Sequence, residues 1–445
     1  MAEEVESSIL EDVKKKGVKF ISLQFVDIPG TGKACEISAE RLEGVLHEGL
    51  WFDGSSIEGF VRIHESDMFL KPDPETYAIL PRTKNKVAKI MCDVYVDEKT
   101  PFEGCPRYAL KKILKEAGKK GYDFKVGPEV EFFLFKEEGE RRIIPRVHDA
   151  ASYFDLAPKD LDVEMKREIV TYLNTLGMDI EMSHHEVAPG QHEIDFRYDN
   201  ALKIADDVLT YKNAIKTVAK NYGLFASFMP KPIFGVNGSG MHIHQSLWRR
   251  GENAFFDERD EYHLSDVAKS FIAGQLHHAR GYSAVVAPIV NSYKRLVPGY
   301  EAPVYICWAR INRSALIRVP RTTTARGKRG ARIELRCPDP SCNPYLAFTA
   351  MLGAGLDGVN RKMEPPEPVE EDVYQFDDRK LAKYYIKTLP SSLKEAVEEL
   401  EKDEVVRKAL GNHIAKKLIE TQRSQWDEYK IHVTPWELDT YLPVT

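Results

Sequence analysis

The stretch His184-His185-Glu186-Val187-Ala188-Pro189-Gly190-Gln191-His192-Glu193-Ile194-Asp195-Phe196 combines imidazoles, carboxylates and apolar side chains around a Pro-Gly turn. After the turn, Glu193 and Asp195 alternate with Ile194 and Phe196, and a strand sends alternate side chains to opposite faces. We therefore expect one acidic face and one apolar face. Because burying an acidic face without cations would be very costly, the stretch predicts a strand that helps to bind cations.

Three further segments show the same alternation of charged and apolar side chains. Their charged positions are Glu129 and Glu131, then His242 and His244, then Arg332, Glu334 and Arg336. One such strand is usually just half exposed to solvent, and that interpretation suffices for each segment taken singly. Four segments together, rich in Glu and His, are better explained by a sheet whose charged face lines a cavity.

The side chains on this expected face predict metal and phosphate chemistry. Carboxylates with one imidazole form an oxygen-rich ligand set that suits Mg²⁺ or Mn²⁺, and not zinc or copper. Arginines on the same face indicate that an anion completes the site. Metal ions and arginines around one cavity are what phosphoryl transfer needs, because both neutralise charge on phosphate oxygens.

A separate phosphate-binding loop is not expected. The segment Gly30-Thr31-Gly32-Lys33-Ala34 is similar to the end of a P-loop, but Asp27 stands where the first glycine should be. Ala34 stands where Ser or Thr must hold magnesium, so we interpret the segment as a hairpin turn. Since the sequence also lacks a protein-kinase signature, a nucleotide would have to be held by the sheet itself.

Composition indicates a folded globular chain. Its 445 residues are 43% apolar and 10% aromatic, which is ample for a sizeable core. The net charge of −6, without blocks of Lys or Arg, argues against nucleic acid or an anionic membrane as the main partner. Six cysteines without a CxxC pair predict reduced thiols, and the start of the chain lacks the apolar core of a signal peptide. We expect a cytoplasmic protein.

The linker-like segment Thr100–Pro106 predicts a boundary between two units. Before it we expect a small α+β unit, with helices over 7–16 and 39–48 and strands over 19–26 and 87–96. The Gly- and Ser-rich stretch 51–60 is a turn or a ligand contact, and its spacing favours the turn. Beyond the linker, apolar spacing predicts helices over 107–120, 160–176, 202–222, 264–282, 343–360, 391–400 and 412–429, and a loop over 365–368.

A second loop, Pro298-Gly299-Tyr300-Glu301-Ala302-Pro303, precedes a group of polar residues, Asn312, Arg313, Arg318 and Arg321. One interpretation is a surface turn followed by a basic strand. The other is a movable loop that carries Glu301 over a reactive intermediate, because lids exclude water from labile species.

Six motifs resemble those of type I glutamine synthetases, nearest to the shorter α subtype. They are the stretch 184–193, Phe52-Asp53-Gly54-Ser55-Ser56, Asn237-Gly238-Ser239-Gly240-Met241-His242, the loop 298–303, Arg332-Ile333-Glu334 and Asn343-Pro344-Tyr345. The resemblance implies an α+β fold with an N-terminal β-grasp domain (1–104) and a C-terminal catalytic domain (105–445), whose curved antiparallel sheet is flanked by helices. It further implies a dodecamer of two stacked hexameric rings, with active sites between neighbouring subunits.

The activity that the resemblance implies is the ATP-dependent joining of L-glutamate and ammonia to L-glutamine through a γ-glutamyl phosphate. It also implies two or more divalent ions per active site, Mg²⁺ or Mn²⁺, one held by Glu131, Glu186 and Glu193 and another by Glu129, His242 and Glu334. The residues expected around glutamate are Asn237, Gly238, Arg295 and Arg336, with Glu301 on the closing loop. Those expected around ATP are Glu181, Tyr198, His244, Ser246, Arg318 and Arg332, with Arg313 at the phosphoryl group shared by both substrates.

Asp53 resembles the residue that neighbouring subunits donate to attract ammonium. Ammonium has no lone pair, so a base such as Asp53 must remove a proton before attack. Two functions of other classes are alternatives. A two-metal phosphohydrolase would use the same carboxylates but would need neither Asp53 nor the Glu301 loop. A catalytically inactive relative, acting as a scaffold or sensor, would usually have lost a metal ligand or an arginine, and none is missing here. A γ-glutamyl polyamine ligase is the nearest rival ligase, and Asp53 favours glutamine synthetase over it.

Departures from the family pattern bear on regulation. Arg329 stands where some members have Lys. Tyr374 lies near the position that longer subtypes adenylylate, but its surroundings do not match, so we expect no adenylylation. Arg62 matches a position that senses glutamine in α-type members, and an ordinary surface arginine is an equal alternative. Small regulatory proteins are further expected partners.

Overall fold

The first part of the chain forms a six-stranded mixed sheet. The computed structural model describes residues 2–57, 59, 67–137, 145–321 and 327–445. The N-terminal elements are α1 (Ala2–Lys16), β1 (Phe20–Val26), β2 (Gly32–Ser38), α2 (Leu42–Glu48), β3 (Leu50–Asp53), β4 (Asp67–Pro72), β5 (Ala78–Ile79) and β6 (Val87–Tyr95). The strand order is β2-β1-β6-β4-β3, with β5 also beside β6. β1 and β6 run parallel, and the other pairs are antiparallel.

The segment similar to a P-loop is confirmed as a hairpin turn. β1 and β2 pair antiparallel, with Val26 opposite Gly32. Gly30 in the turn has a φ of 95°, and a Cβ there would lie 3.0 Å from the Cα of Asn343. A side chain at position 30 would therefore be strained in its backbone and would collide with the second unit.

The second part of the chain contains a ten-stranded sheet and most of the helices. Its strands are β7 (Asp123–Lys136), β8 (Ile180–His185), β9 (Gln191–Phe196), β10 (Asp199–Asn200), β11 (Leu224–Ser227), β12 (Met241–Arg249), β13 (Glu252–Asn253), β14 (Tyr305–Ala309), β15 (Ala315–Arg318) and β16 (Ile333–Leu335). Its helices are α3 (Pro106–Lys119), α4 (Val163–Thr175), α5 (Ala201–Asn221), α6 (Asp266–His277), α7 (Ala279–Val286), α8 (Ser292–Arg295), α9 (Pro344–Arg361), α10 (Asp378–Lys383), α11 (Leu393–Lys402), α12 (Glu404–Leu410), α13 (Asn412–Tyr429) and α14 (Pro435–Tyr441). Among the described residues, no helix is both long and apolar enough to cross a membrane.

The long strand β7 is the centre of this sheet. The order is β14-β15-β16-β12-β7-β9-β8, and β10 and β11 also pair with β7. β14 and β15 run parallel, whereas β7 is antiparallel to β9, β10, β11 and β12. Alternation along β7 and β12 buries Val130, Phe132, Met241 and Ile243 completely in the helical core. The charged residues of the same strands consequently share the opposite face.

Asn343 joins the two units at the start of α9. Its side-chain oxygen accepts hydrogen bonds from the backbone N–H groups of Tyr345 and Leu346 and so caps the helix. Its amide nitrogen donates to the carbonyl oxygens of Asp27 and Ile28, at 3.0 and 3.2 Å. The Asn343-Pro344-Tyr345 motif therefore has a structural role that its resemblance did not reveal.

Two segments differ from their predictions. The helix expected over 264–282 is two helices, α6 and α7, and the break is at His278, whose ring bonds to Asp357 and Asp403. The stretch 51–60, interpreted as a turn, begins with strand β3, because Trp51 and Phe52 pack on Phe69 and Phe25. Its Gly- and Ser-rich part does form a turn, in which the Ile57 N–H donates to the Gly54 carbonyl oxygen at 3.1 Å, and residues 58 and 60 lie outside the described residues. The predicted loop over 365–368 is confirmed.

Candidate active site

Strand register brings the charged residues of distant segments together. Glu129 lies opposite His242, Glu131 lies opposite Glu193, and His244 lies opposite Glu334. All four predicted strands are neighbours in one sheet, in the order β16-β12-β7-β9. The charged face that was expected from alternation is therefore continuous across the sheet.

The first set of candidate ligands comprises Glu129, His242 and Glu334. Their donor atoms lie within 4.8 Å of one another. Burial, followed by the charge of Arg336, lowers the pKa of His242 to about 4, so the ring is neutral and offers a lone pair. Burial raises the pKa of Glu334, but the charges of Arg336, His244 and His242 outweigh it and bring this pKa to about 2. Two carboxylates and a neutral imidazole fit a divalent cation.

The second set comprises Glu131, Glu186 and Glu193. Burial, followed by the charge of Glu186, raises the pKa of Glu131 to about 8. Burial raises the pKa of Glu186 to about 7, and burial with the charge of Asp195 raises that of Glu193. These directions mean that the three groups lack the positive charge that would let them all ionise. A bound cation would supply such charge, so the chemistry of three carboxylates suits a divalent metal. The donor atoms of Glu131, Glu186 and Glu193 are not gathered within 4.8 Å of one another as those of the first set are, and Glu193 instead groups with His184 and Asp195.

Three residues near the second set were missed as site residues, namely His184, Tyr153 and Phe154. The His184 ring lies 3.4 Å from Glu193 and 3.6 Å from Glu186, measured from its nitrogens to the carboxylate oxygens. Phe154 stacks on His184 with 4.5 Å between ring centroids, and Tyr153 packs edge-on against both rings. The sequence feature that could have indicated these residues is the adjacent aromatic pair Tyr153-Phe154. This pair lies about thirty residues before His184, so only the tertiary fold brings it to the imidazole.

A small cavity beside the second set collects the residues predicted to bind glutamate. Its lining includes Glu131 and Glu186 together with Asn237, Gly238, Arg295, Glu301 and Arg336. The buried Arg295 guanidinium donates to the carbonyl oxygens of Arg336, Cys337 and Pro338, at 3.1, 2.9 and 3.2 Å. These bonds fix the guanidinium beside the cavity, where it can attract a carboxylate.

A larger cavity, of about 580 Å³, collects the residues predicted to bind ATP. Its lining includes Glu181, Tyr198, His244, Ser246 and Arg332, and also Lys125, Asp195 and Arg329. Glu129 lines it too, so this cavity reaches the first set of candidate ligands. The volume falls in the range of small-molecule sites. Arg332 donates to His244 at 3.3 Å, and His244 contacts Glu129 at 2.8 Å.

Three of the predicted residues line neither of these two cavities. Arg318 donates to Glu334 at the edge of the first set. Arg313 is exposed on the loop between β14 and β15, and it is not among the described residues that line either cavity. Asp53 is exposed at the end of β3, where its carboxylate accepts a hydrogen bond from the backbone N–H of Ser55 at 2.8 Å. Arg62 lies outside the described residues.

A second group of ionisable residues lies behind the β8–β9 hairpin. His185 contacts Asp149 at 3.1 Å, and Asp149 accepts a hydrogen bond from the backbone N–H of Gly190 in the hairpin turn at 2.8 Å. Glu186 and Glu193 extend from the two sides of this turn. His185 and Asp149 therefore hold in place the turn that presents two candidate metal ligands, a role that the sequence did not show.

The comparisons with known proteins agree with this geometry. A family model described as the catalytic domain of glutamine synthetase matches residues 103–441, and one described as its β-grasp domain matches 17–97. The chain belongs to the glutamine synthetase family. The predicted fold, a small β-grasp unit before a large unit with a helix-flanked sheet, is thereby confirmed.

Individual members of the glutamine synthetase family match over nearly their whole length. The glutamine synthetase of Methanocaldococcus jannaschii is 53% identical, with 97% of each chain covered. That of Thermus thermophilus is 50% identical, with 98% of each chain covered. A solved structure described as a GmaS/ADP complex has a TM-score of 0.88 at 34% identity, and covers 98% of this chain and 99% of its own. The prediction that the chain is an enzyme of this family is confirmed.

Proposed function

We propose that the chain joins L-glutamate and ammonia to L-glutamine at the expense of ATP, through a γ-glutamyl phosphate. The observation that carries this proposal is the position of two acidic donor sets between two cavities. One cavity is lined by arginines suited to an amino-acid carboxylate, and the other has the volume that a nucleotide needs. Ligation of a carboxylate with ATP requires both substrates to meet at the transferred phosphate, where cations held by these donor sets would neutralise negative charge.

Glu129, His242 and Glu334 would hold one divalent ion, and Glu131, Glu186 and Glu193 a second. Mg²⁺ or Mn²⁺ bound there supplies charge stabilisation to phosphate oxygens. Arg318 and Arg332 add positive charge near the first set, and Arg313 serves the transferred phosphoryl group. A glutamate γ-carboxylate oxygen attacks the γ-phosphorus, the bond to ADP breaks, and the acyl phosphate forms.

The second half-reaction depends on two exposed acids. Asp53 of a neighbouring subunit removes a proton from ammonium, and the resulting ammonia attacks the acyl carbon and expels phosphate. Glu301 lines the glutamate cavity from its loop, and its position suits exclusion of water from the acyl phosphate. The exposed position of Asp53 at a sheet edge, away from both cavities of its own chain, supports this role in a partner's site.

We further propose that the enzyme is a cytoplasmic α-type dodecamer of two stacked hexameric rings, with the domain boundary at 104/105. Glutamine feedback through Arg62 and control by small regulatory proteins belong to the same proposal. The resemblance in sequence motifs supports it. Separation by size with light scattering measures the assembly, and a mass below that of twelve chains would contradict it.

The activity is tested by phosphate release with glutamate and ammonium omitted in turn. We expect full release only when both substrates accompany ATP. Release that is indifferent to both would identify a phosphohydrolase instead. Replacing ammonium by larger amines distinguishes glutamine synthetase from a γ-glutamyl polyamine ligase, because the polyamine ligase would turn over the larger amines faster than ammonium.

A further inference from the structure

A segment that neither cavity includes crosses the outside of β14. We call this segment, Pro366–Phe376, the strap. The Trp308 indole donates to the Pro366 carbonyl oxygen at 2.6 Å, and the Val369 N–H donates to the Trp308 carbonyl oxygen at 2.9 Å. These bonds anchor one end of the strap to a buried strand of the catalytic sheet.

The strap holds the loop that carries Arg313. The Asn312 side-chain amide donates to the carbonyl oxygens of Val369 and Glu371, at 3.0 and 2.5 Å. On the other side of Arg313, the Ser314 hydroxyl accepts a hydrogen bond from the Val373 N–H at 3.1 Å. Asn312 and Ser314 are both buried, so Arg313 is exposed between two fixed neighbours.

The strap also holds the loop that carries Glu301. The Tyr374 hydroxyl donates to the carbonyl oxygen of Ala302 at 2.5 Å, although the two residues are 72 positions apart. The Asp372 carboxylate accepts from the Tyr374 N–H at 3.0 Å, which fixes the base of the tyrosine. Glu301 itself has a φ of 57°, an uncommon conformation for a residue other than glycine. Such a conformation persists only where neighbouring contacts impose it.

Tyr374 has the protonation state that this contact needs. Burial raises the pKa of its hydroxyl to about 12, with further contributions from the charges of Glu301 and Asp372, while Arg336 opposes them. The hydroxyl is therefore protonated at neutral pH and can donate. Tyr374 lies beside the glutamate cavity, because Ala302, whose carbonyl oxygen accepts its hydroxyl, lines that cavity.

We propose that Tyr374 is a positioning residue that couples the Glu301 loop to the Arg313 loop through the strap. This inference rests on the proposed function for its catalytic meaning, because Glu301 shields the acyl phosphate and Arg313 serves the phosphoryl group. Through this coupling, the loop that excludes water and the loop that stabilises the transferred group adopt their positions together. The strap thus links formation of the acyl phosphate at Arg313 to its shielding from water by the Glu301 loop.

The test compares Tyr374→Phe with Tyr385→Phe in the full-length enzyme. Tyr374→Phe removes only the hydroxyl that contacts Ala302, and Tyr385→Phe makes the same chemical change at a side chain that is 90% exposed. Hydrogen exchange of the backbone amides over 299–304 is the first readout, since it reports on the loop whether or not the enzyme is active. We expect exchange about five-fold faster in Tyr374→Phe and unchanged in Tyr385→Phe.

The second readout is the ratio of phosphate released to glutamine formed. We expect this ratio to rise at least two-fold in Tyr374→Phe, because a looser Glu301 loop lets water reach the acyl phosphate. A fall in turnover with an unchanged ratio would show that the tyrosine contributes only packing, and this would overturn the proposal. Unchanged hydrogen exchange over 299–304 in Tyr374→Phe would also overturn it. If the wild-type enzyme releases phosphate without glutamate, the proposed function fails, and the exchange measurement still decides whether Tyr374 holds the loop.

Discussion

Glu131 on β7 lies directly opposite Glu193 on β9, so two buried carboxyl groups share one face of the sheet. Their proximity predicts a pH-dependent weakness of the metal-free protein. The pKa of Glu131 is about 8 in the folded chain, against an ordinary value of 4.5. A group with a raised folded pKa stabilises the fold below its unfolded pKa, and this stabilisation is lost as pH rises through the folded pKa.

We therefore expect the metal-free protein to lose thermal stability between about pH 5 and pH 8, and saturating Mg²⁺ to remove most of this loss. Melting temperatures in chelator and in Mg²⁺, measured across this range, check it. Glu131→Gln should flatten the chelator curve, whereas the exposed Glu137→Gln should not. A metal-free melting temperature that rises with pH in this range would contradict the prediction.

Glu301→Ala should uncouple ATP use from glutamine formation. Loss of the carboxylate at the mouth of the glutamate cavity exposes the acyl phosphate to water, so phosphate release should continue while glutamine formation falls about ten-fold or more. Parallel assays of phosphate and glutamine give the ratio. Glu258→Ala, a change at an exposed loop carboxylate, serves as the control. Unchanged coupling in Glu301→Ala would exclude the shielding role.

A second pH dependence is expected at His278. Here, despite burial, the pKa is raised because hydrogen bonds favour the charged form, whereas at Glu131 it is raised because burial disfavours the charged form. Burial lowers the pKa of its imidazole, but hydrogen bonds to Asp403 and Asp357 outweigh burial and raise it. The stabilisation from the charged ring is fully present below the ordinary pKa of 6.5 and is lost as pH rises through the folded pKa. His278→Gln should therefore cost about 1 to 3 kcal/mol at low pH and less at high pH.

Melting temperatures of His278→Gln and wild type at pH 6 and pH 9 measure this difference. His432→Gln, at an exposed position, should leave both values unchanged. An equal cost at both pH values would show that the ring acts by shape and not by charge.

Asn343→Ala should weaken the contact between the two units. The substitution removes the cap of α9 and the two bonds to Asp27 and Ile28, with an expected cost of about 2 kcal/mol or more. Asn360→Ala, at an exposed position near the other end of α9, is the matched control. Differential scanning calorimetry checks both, and equal melting temperatures for the two variants would refute the assigned role.

The sequence predicted the strands of the site well because alternation is a local property. Glu129, Glu193, His242 and Glu334 each lie on a strand whose apolar neighbours need burial, and burial of one face leaves the other for the charged residues. Alternation acts within each strand, so it predicts the charged face however many residues separate the strands in the chain. The residues expected around glutamate, ATP and ammonium came from the resemblance of the motifs to those of glutamine synthetases.

Features that depend on tertiary contacts could not be predicted in this way. The break at His278 is stabilised by Asp357 in α9 and by Asp403 between α11 and α12, both distant in the sequence. The bond from Tyr374 to Ala302 joins a strap and a loop that have no pattern in common. Local spacing places Trp51 and Phe52 at the edge of a turn and not in strand β3, because their aromatic partners, Phe69 and Phe25, lie on other strands.

The number of divalent ions bound per chain tests the central claim most directly. Equilibrium binding of Mn²⁺, followed by its paramagnetic signal, should give two ions per chain in the wild type, and one each in Glu193→Gln and in Glu334→Gln. The double variant should bind none at these positions. A wild type that binds no Mn²⁺, or variants that keep the wild-type count, would contradict the assignment of the two acidic donor sets as metal sites.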